Sequence, residues 1–429
     1  MSAQNVSLRP VPDAADEAAA DPDLLSGPDP VEAARAYVAG TALRDSAGGQ
    51  VGLELEFHLV DLADPARRPA WDEVQAVTAA LPPMPSGSSV TLEPGGQVEL
   101  STAPAPDVAT SVAALQADRE VLRVGLAAAG FGAAPLGADP ARPVRRVNPN
   151  ARYVAMETHF AALGCAAPGK AMMSATAALQ VNLDAGPATG WGQRLGLIRE
   201  LGPVLVAISA CSPYLAGEAS GWRSMRQQAW HGIDHSRSDP VSGDDPTSAW
   251  ATYALQAPVM LVRDGALATP VTTRVPFAAW LDGSAPLSRR PTLPDLDYHL
   301  TTLFPPVRPR GYVEIRCLDA LPDRWWPAVV ALTVTLIDDP VAAERAAQLC
   351  EPVRDARAAA ARDGLDDAAL RRAALGCVEA AVPRCPPELR AEVEAYAELL
   401  ASGRTPGDEL RAAAQARGPL AVLEAEAHA

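Results

Sequence analysis

Val51-Gly-Leu-Glu-Leu-Glu-Phe-His58 sets Leu53, Leu55 and Phe57 against Glu54, Glu56 and His58. Period-two alternation of this kind marks a strand with one apolar and one polar face. The pattern recurs three times. In Gly96-Gln-Val-Glu-Leu-Ser101, Val98 and Leu100 alternate with Gln97, Glu99 and Ser101. In Gly311-Tyr-Val-Glu-Ile-Arg-Cys317, Val313, Ile315 and Cys317 oppose Tyr312, Glu314 and Arg316. From Met172 to Asp184 a fourth strand is predicted, with Met173, Ala175, Ala177, Leu179, Val181 and Leu183 on one side and Ser174, Thr176, Gln180, Asn182 and Asp184 on the other. Helical stretches separate these strands, an order that ordinarily suggests parallel units. Parallel strands, however, are covered on both faces and read as continuous apolar runs, whereas these keep one polar face. The expected fold is therefore α+β, with a mainly antiparallel sheet, flanking helices and a helical C-terminal region.

Helices are predicted over Val31–Ala42, Asp72–Leu81 (closed by Pro82-Pro83), Asp107–Ala129 (with Val108, Val112, Leu115, Leu122 and Leu126 at helical spacing and Gly130 as a stop), Tyr153–Leu163 and Trp191–Ala210. Residues 1–30, rich in Ala, Asp and Pro, are expected to be a disordered tail. Residues 31–340 form the expected sheet domain, and 341–429, alanine-rich and without a strand signal, a helical region packed on it. No internal repeat is visible at solenoid periods.

With 429 residues and 48% hydrophobic content the chain can build a substantial core. A net charge of -16 argues against a nucleic-acid partner, which requires clustered Lys and Arg. Lys170 is the sole lysine. The six cysteines lack the paired spacing of a zinc site or a disulfide framework. Residues 1–29 hold no apolar stretch of the kind a secretory signal needs, and no run is long enough to cross a bilayer. The expectation is a cytoplasmic protein with reduced thiols and no membrane partner.

Glu54, Glu56, Glu99 and Glu314, taken singly, also read as the solvated face of a sheet. Together they are unusual, because glutamate is disfavoured in strands and here occupies the middle of three short ones. Carboxylates gathered on one face repel unless a cation lies among them, which points to a hard divalent ion with oxygen ligands. Arg316 shares the face of Glu314. It suits either stabilisation of a transferring phosphoryl group or an in-strand ion pair. Gln180 and Asn182 offer amides for a polar substrate, or belong to a solvated strand. The segment from Gly221 to Arg237 concentrates Arg223, Arg226 and Arg237 with Trp222, Trp230, His231 and His235, a suitable seat for an amino-acid carboxylate. Helix-surface charge is the competing reading. No Walker loop and no nucleophile elbow is present.

These segments together resemble the glutamate-cysteine ligases of the plant and proteobacterial type. The resemblance runs through Gly-Leu-Glu-Leu-Glu, Gly-Gly-Gln-Val-Glu-Leu-Ser, Leu179-Gln-Val-Asn-Leu-Asp184, Ser224-Met-Arg with Trp230, Asp234 and Arg237, then Tyr298-His-Leu-Thr-Thr-Leu-Phe-Pro305 and Val313-Glu-Ile-Arg316. It covers about residues 45–400, and the Glu-Leu-Glu-Phe-His form is similar to the actinobacterial branch that serves ergothioneine synthesis. The resemblance implies a curved, glutamine-synthetase-like sheet. It implies that ATP phosphorylates the γ-carboxylate of glutamate and that the cysteine amine displaces phosphate to give γ-glutamylcysteine. By position it implies magnesium (or manganese) ligation by Glu54, Glu56, Glu99 and Glu314, a catalytic role for Arg316 and Glu314, and substrate binding by Gln180, Asn182, Arg226, Trp230 and Arg237. No cysteine pair matches the regulatory disulfide of plant members. Two rival readings remain at this stage: a related ligase with another amine acceptor, and a non-catalytic glutamate-binding relative. Oligomeric state is not legible.

Overall fold

The computed structural model describes residues 24–219 and 221–429; residues 1–23 of the predicted tail lie outside the described residues, whereas over 24–30 the expectation of disorder fails, because Leu24–Ser26 form a 3-10 turn packed on the first helix with Leu25 buried and Asp29 caps that helix. In chain order the elements are α1 (Pro30–Ala42), β1 (Val51–Asp61), α2 (Trp71–Ala79), β2 (Ser89–Leu92), β3 (Val98–Ser101), α3 (Val108–Ala128), β4 (Phe131–Ala134), α4 (Ala151–Ala162), α5 (Ala166–Ala175), β5 (Ala178–Leu183), α6 (Trp191–Ser209), and a small hairpin β6 (Tyr214–Leu215) and β7 (Glu218–Ala219). Next come α7 (Met225–His231), α8 (His235–Ser238), α9 (Pro246–Gln256), a second hairpin β8 (Leu261–Asp264) and β9 (Leu267–Pro270), α10 (Phe277–Leu281), α11 (Leu293–Leu300), β10 (Val307–Pro309) and β11 (Val313–Asp319). Seven further helices close the chain: α12 (Trp326–Asp338), α13 (Pro340–Cys350), α14 (Arg357–Arg362), α15 (Ala368–Ala381), α16 (Arg390–Ala401), α17 (Pro406–Arg417) and α18 (Pro419–His428).

The main sheet runs β10-β11-β5-β1-β3-β2, with β4 pairing the far end of β1, and its strand pairs are all antiparallel. Register follows the alternation. Leu53, Leu55, Val98, Leu100, Val181, Val313 and Ile315 are buried on one face, against α3, α6 and α12. Burying a side chain of this size stabilises by about 1.5–3 kcal/mol, so a one-residue slip, which would expose the whole row, is strongly disfavoured. The opposite face carries the polar series.

The predicted strand from Met172 to Asp184 is wrong in its first half. Met172 to Ala175 belong to α5, and the strand begins at Ala178. Met172, Met173, Ser174 and Ala175 are all buried, so alternation carried no information there. With α4 and α7, this helix builds a second apolar cluster around Tyr153, Met156, Phe160, Met173 and Ile233. That cluster roofs the polar face of the sheet.

The helices after β11 share one continuous hydrophobic cluster with the sheet. Among the described residues no single helix is long and apolar enough to cross a membrane; α12 and the bent segment after it pass only as a pair, and α12 is almost wholly buried here. The last helix, α18, packs on β4 and β1. At Gly132 the approach is so close that an added Cβ would stand 2.2 Å from the Ala427 carbonyl oxygen, so only glycine fits.

Candidate active site

Between sheet and roof lies a cavity of about 250 Å³. Its floor is set by strand register. Glu54 faces Gln180 across β1 and β5, and Glu56 faces Glu99 across β1 and β3. Burial pushes Glu54 and Glu99 up to about 7; Glu99 and Glu314 add to the effect at Glu54, and Glu93 adds to it at Glu99. Glu56 is raised well above the usual carboxylate range by burial, then by Glu93 and Glu99.

Glu93 is a cavity residue that the alternation did not single out, because it sits in a turn. The tight connection Glu93-Pro94-Gly95-Gly96 joins β2 to β3, with Glu93 N donating to Gln97 O (2.9 Å) and Gly96 N to Glu93 O (3.0 Å). Gly96 has φ +81°, and a Cβ at Gly95 would stand 2.1 Å from Ser174 O on α5. Gln97 locks the turn: its Oε1 accepts from Gly95 N and its Nε2 donates to Thr176 O. A Pro-Gly-Gly run beside an acid is a turn signal that would have placed a carboxylate at the cavity edge.

Glu314 is wholly buried and differs in kind. Arg308 holds it through two bonds, Nε–Oε2 at 2.6 Å and Nη2–Oε1 at 3.0 Å, while Arg316 and Arg310 approach to 3.1 and 3.4 Å. Despite its burial, the three guanidiniums hold it far below the usual carboxylate range. Arginine directly neutralises this glutamate, because β10 places Arg308 beside Glu314. Arg316 spans Glu314 and Gln180, donating from Nη1 to Gln180 Oε1 at 2.6 Å. The register of β11 against β5 shifts between Ile315 and Leu318, while on the other side the Arg316 N–H donates to Pro306 O and extends the pairing with β10.

Arg226 enters from α7, only 2% exposed, donating from Nη2 to Arg316 O at 2.8 Å. Beneath it, buried Asp319 accepts from Ser212 Oγ, Ser224 Oγ and Cys211 N, and lies 4.0 Å from Arg226 Nη1. Trp230 packs edge-on against Phe304, and both line the cavity. At the rim Arg152 is fixed on Thr301 and lies over the Tyr298 ring.

Two expected site residues stand elsewhere. Asn182 is not on the cavity wall; it donates from Nδ2 to Glu54 Oε1 at 2.9 Å and fixes that carboxylate from behind. Arg237 is fully buried away from the cavity. Its donors are taken up by Asp234, Thr302 O, Pro258 O and His159, so it ties α8 to its surroundings and has nothing left for a substrate.

The donor set fits a hard divalent cation: Glu54, Glu56, Glu93 and Glu99 offer only oxygen and lie on one cavity wall. Among the described residues no three acidic, histidine or cysteine side chains converge tightly enough to ligate an ion as they stand, so occupancy requires side-chain rotation on a fixed sheet.

Acids on the floor and arginines on the wall form the chemistry of an ATP-dependent carboxylate ligase. The chain belongs to glutamate-cysteine ligase family 2 (GCS2), whose model matches residues 50–426. It is 53% identical over 396 residues to the glutamate–cysteine ligase EgtA of Mycolicibacterium smegmatis, covering 91% of this chain and 93% of that one. It is 51% identical to the EgtA of Mycobacterium tuberculosis, covering 90% and 91%. A chloroplastic glutamate–cysteine ligase A from Oryza sativa subsp. indica is 30% identical over 64% of this chain and 57% of its own length. Among solved structures, the Francisella tularensis glutamate–cysteine ligase in complex with AMP superposes with a TM-score of 0.57 at 14% identity, over 90% of this chain and 88% of that one. The fold is the glutamine-synthetase-like class expected from the sequence.

Proposed function

We propose that this protein joins the γ-carboxylate of L-glutamate to the amine of L-cysteine at the expense of ATP, supplying γ-glutamylcysteine for ergothioneine synthesis. The observation that carries the reading is the single cavity in which four carboxylates face Arg316 and Arg226. Strong identity to the two EgtA ligases over nearly the whole chain supports the choice of substrates. In this reading residues 31–340 carry the chemistry, residues 341–429 buttress it, and the enzyme works in the cytoplasm with its six buried cysteines reduced.

An amine does not attack a free carboxylate at neutral pH. A γ-carboxylate oxygen of glutamate therefore attacks the terminal phosphorus of ATP and ADP leaves. The cysteine nitrogen then attacks the acyl carbon, the C–O bond to phosphate breaks, and inorganic phosphate departs. Glu54, Glu56, Glu93 and Glu99 would hold magnesium, or manganese in its place, which neutralises charge on the ATP phosphates. Arg316 grips the transferring group with a planar fork that Gln180 and Glu314 keep oriented. Arg226 faces the amino-acid substrates. The Trp230–Phe304 pair excludes water from the acyl phosphate. The cysteine ammonium loses its proton before attack, to a cavity carboxylate or to the phosphate itself.

Phosphate release from ATP with glutamate, measured with and without cysteine, tests the reading. The expected result is release that needs glutamate and accelerates with cysteine above other amines. Release indifferent to glutamate, or a strong preference for another amine, would overturn it.

A further inference from the structure

Behind the main cavity lies a much smaller chamber, of about 20 Å³, that shares Arg226, Trp230, Phe304 and Arg316 with it. The two differ in charge. The main cavity is floored by glutamates, whereas no acid lines the chamber and three guanidiniums do: Arg226, Arg316 and Arg357. Arg357 comes from α14, in the helical C-terminal region. That helix is pinned where α7 begins, since Arg223 N and Ser224 N both donate to Ala361 O.

Several donors converge here without acceptors. Arg226 Nε and Nη1 and Trp230 Nε1 are buried and make no hydrogen bond among the described residues. Arg357 is half-buried, and no hydrogen bond or ion pair of it is found among them either. Arg226 and Arg357 flank the Cys317 side chain at the chamber wall. Leaving Arg226 Nε and Trp230 Nε1 desolvated without acceptors costs about 1–3 kcal/mol each, and the one acid near Arg226, Asp319 at 4.0 Å from Nη1, does not line the chamber, so the arrangement suits an anion. The volume admits a group about the size of one or two waters, which suits a carboxylate tip and excludes a triphosphate.

We propose that Arg357 and Arg226 form a subsite for the α-carboxylate of an amino-acid substrate. This rests on the ligase reading above. A zwitterion straddling the two spaces places its ammonium toward the glutamates and its carboxylate in the arginine chamber, with the reacting atoms beside Arg316. Either substrate, glutamate or cysteine, carries that group. The helical C-terminal region thereby supplies a specificity residue.

The test is steady-state kinetics of full-length wild type, Arg357→Ala and Arg357→Lys with glutamate against 4-aminobutyrate and cysteine against cysteamine, each pair differing only by the α-carboxylate. In Arg357→Ala, KM for one amino acid should rise about ten- to hundred-fold, the loss of one charge-assisted contact. Discrimination against its decarboxylated partner should fall by the same factor, KM for ATP should stay within about two-fold, and Arg357→Lys should recover part of the loss. Which pair responds identifies the substrate. Unchanged discrimination in both pairs, or a loss confined to ATP, would overturn the subsite. Thermal melting checks folding, and Arg357→Lys carries the comparison if the alanine variant does not fold. If wild type turns over neither substrate, the ligase reading is what fails. Calorimetric titration of glutamate and of cysteine into wild type and Arg357→Lys then reads the subsite directly, and equal affinities would overturn it.

Discussion

Glu56 and Glu99 stand directly opposite each other on neighbouring antiparallel strands, two carboxyls paired across a ladder with no base between them in register, and burial raises both above the usual carboxylate range. Ionising both together in the absence of a cation is unfavourable. Glu99→Gln should therefore melt at or slightly above the wild-type temperature in chelator, since the amide oxygen still accepts from Thr91 and Ser101. The magnesium-induced rise in melting temperature should shrink, and turnover should fall at least about a hundred-fold, as on loss of one strong electrostatic contact. An undiminished magnesium shift would remove Glu99 from the ion site.

Glu314→Gln should behave differently, although the residue sits on a similar strand. It would strip the counter-charge from Arg308, Arg310 and Arg316 in a fully buried setting. Breaking a buried ion pair on one side costs about 3–5 kcal/mol. Urea denaturation should show that loss, while Arg310→Ala at the partly exposed rim should cost under about 1 kcal/mol. Wild-type stability in Glu314→Gln would show the cluster to be energetically idle.

Arg316→Lys keeps the charge and loses the fork. Its bond to Gln180 and its approach to Glu314 aim the guanidinium into the cavity. A contact that strengthens in the transition state lowers kcat when removed, here by about 10²–10³-fold, while KM for ATP moves little. An unchanged kcat would take Arg316 out of the chemistry.

His299 is fully buried beside the Ala254 carbonyl, and burial lowers it to about 3; His159, near Arg237, is lowered to about 4. Both are neutral when folded, and both gain a proton on unfolding once pH drops below their ordinary value of about 6.5. Their contribution is complete above pH 6.5 and is lost as pH falls toward the folded-state values. The stability advantage of wild type over His299→Gln should narrow by at most about 1.4 kcal/mol per pH unit between pH 6.5 and 4. Denaturant midpoints across that range measure it, and a constant gap would refute a neutral buried imidazole.

The sheet was legible because its register is fixed by a strict two-residue period. Val98 to Ser101 and Val313 to Cys317 land with their glutamates on the face that alternation assigns. What escaped was local structure that alternation does not encode. Met172 to Ala175 alternate by type yet are buried on every side of a helix. Glu93 belongs to a turn whose conformation depends on Gly95 and Gly96. Arg308, in a strand three residues long, lies opposite Glu314 only because β10 pairs with β11. Arg237 looked free because nothing in one dimension shows that Thr302 and Pro258 bring carbonyls to it. Burial decides which charged side chain is strut and which is tool, and burial is a tertiary property.

The seat of α18 against Gly132, on the strand that pairs with the end of β1, has a consequence for biosynthesis. The strand bearing Glu54 and Glu56 emerges from the ribosome long before the helix that covers its far end. The nascent chain must therefore hold an incompletely covered, carboxylate-bearing sheet until α18 has emerged. A ribosome-bound chain stalled before Pro419 should accordingly fail to gain protease resistance from glutamate and magnesium-ATP, and full protection of that stalled chain would contradict this order of events.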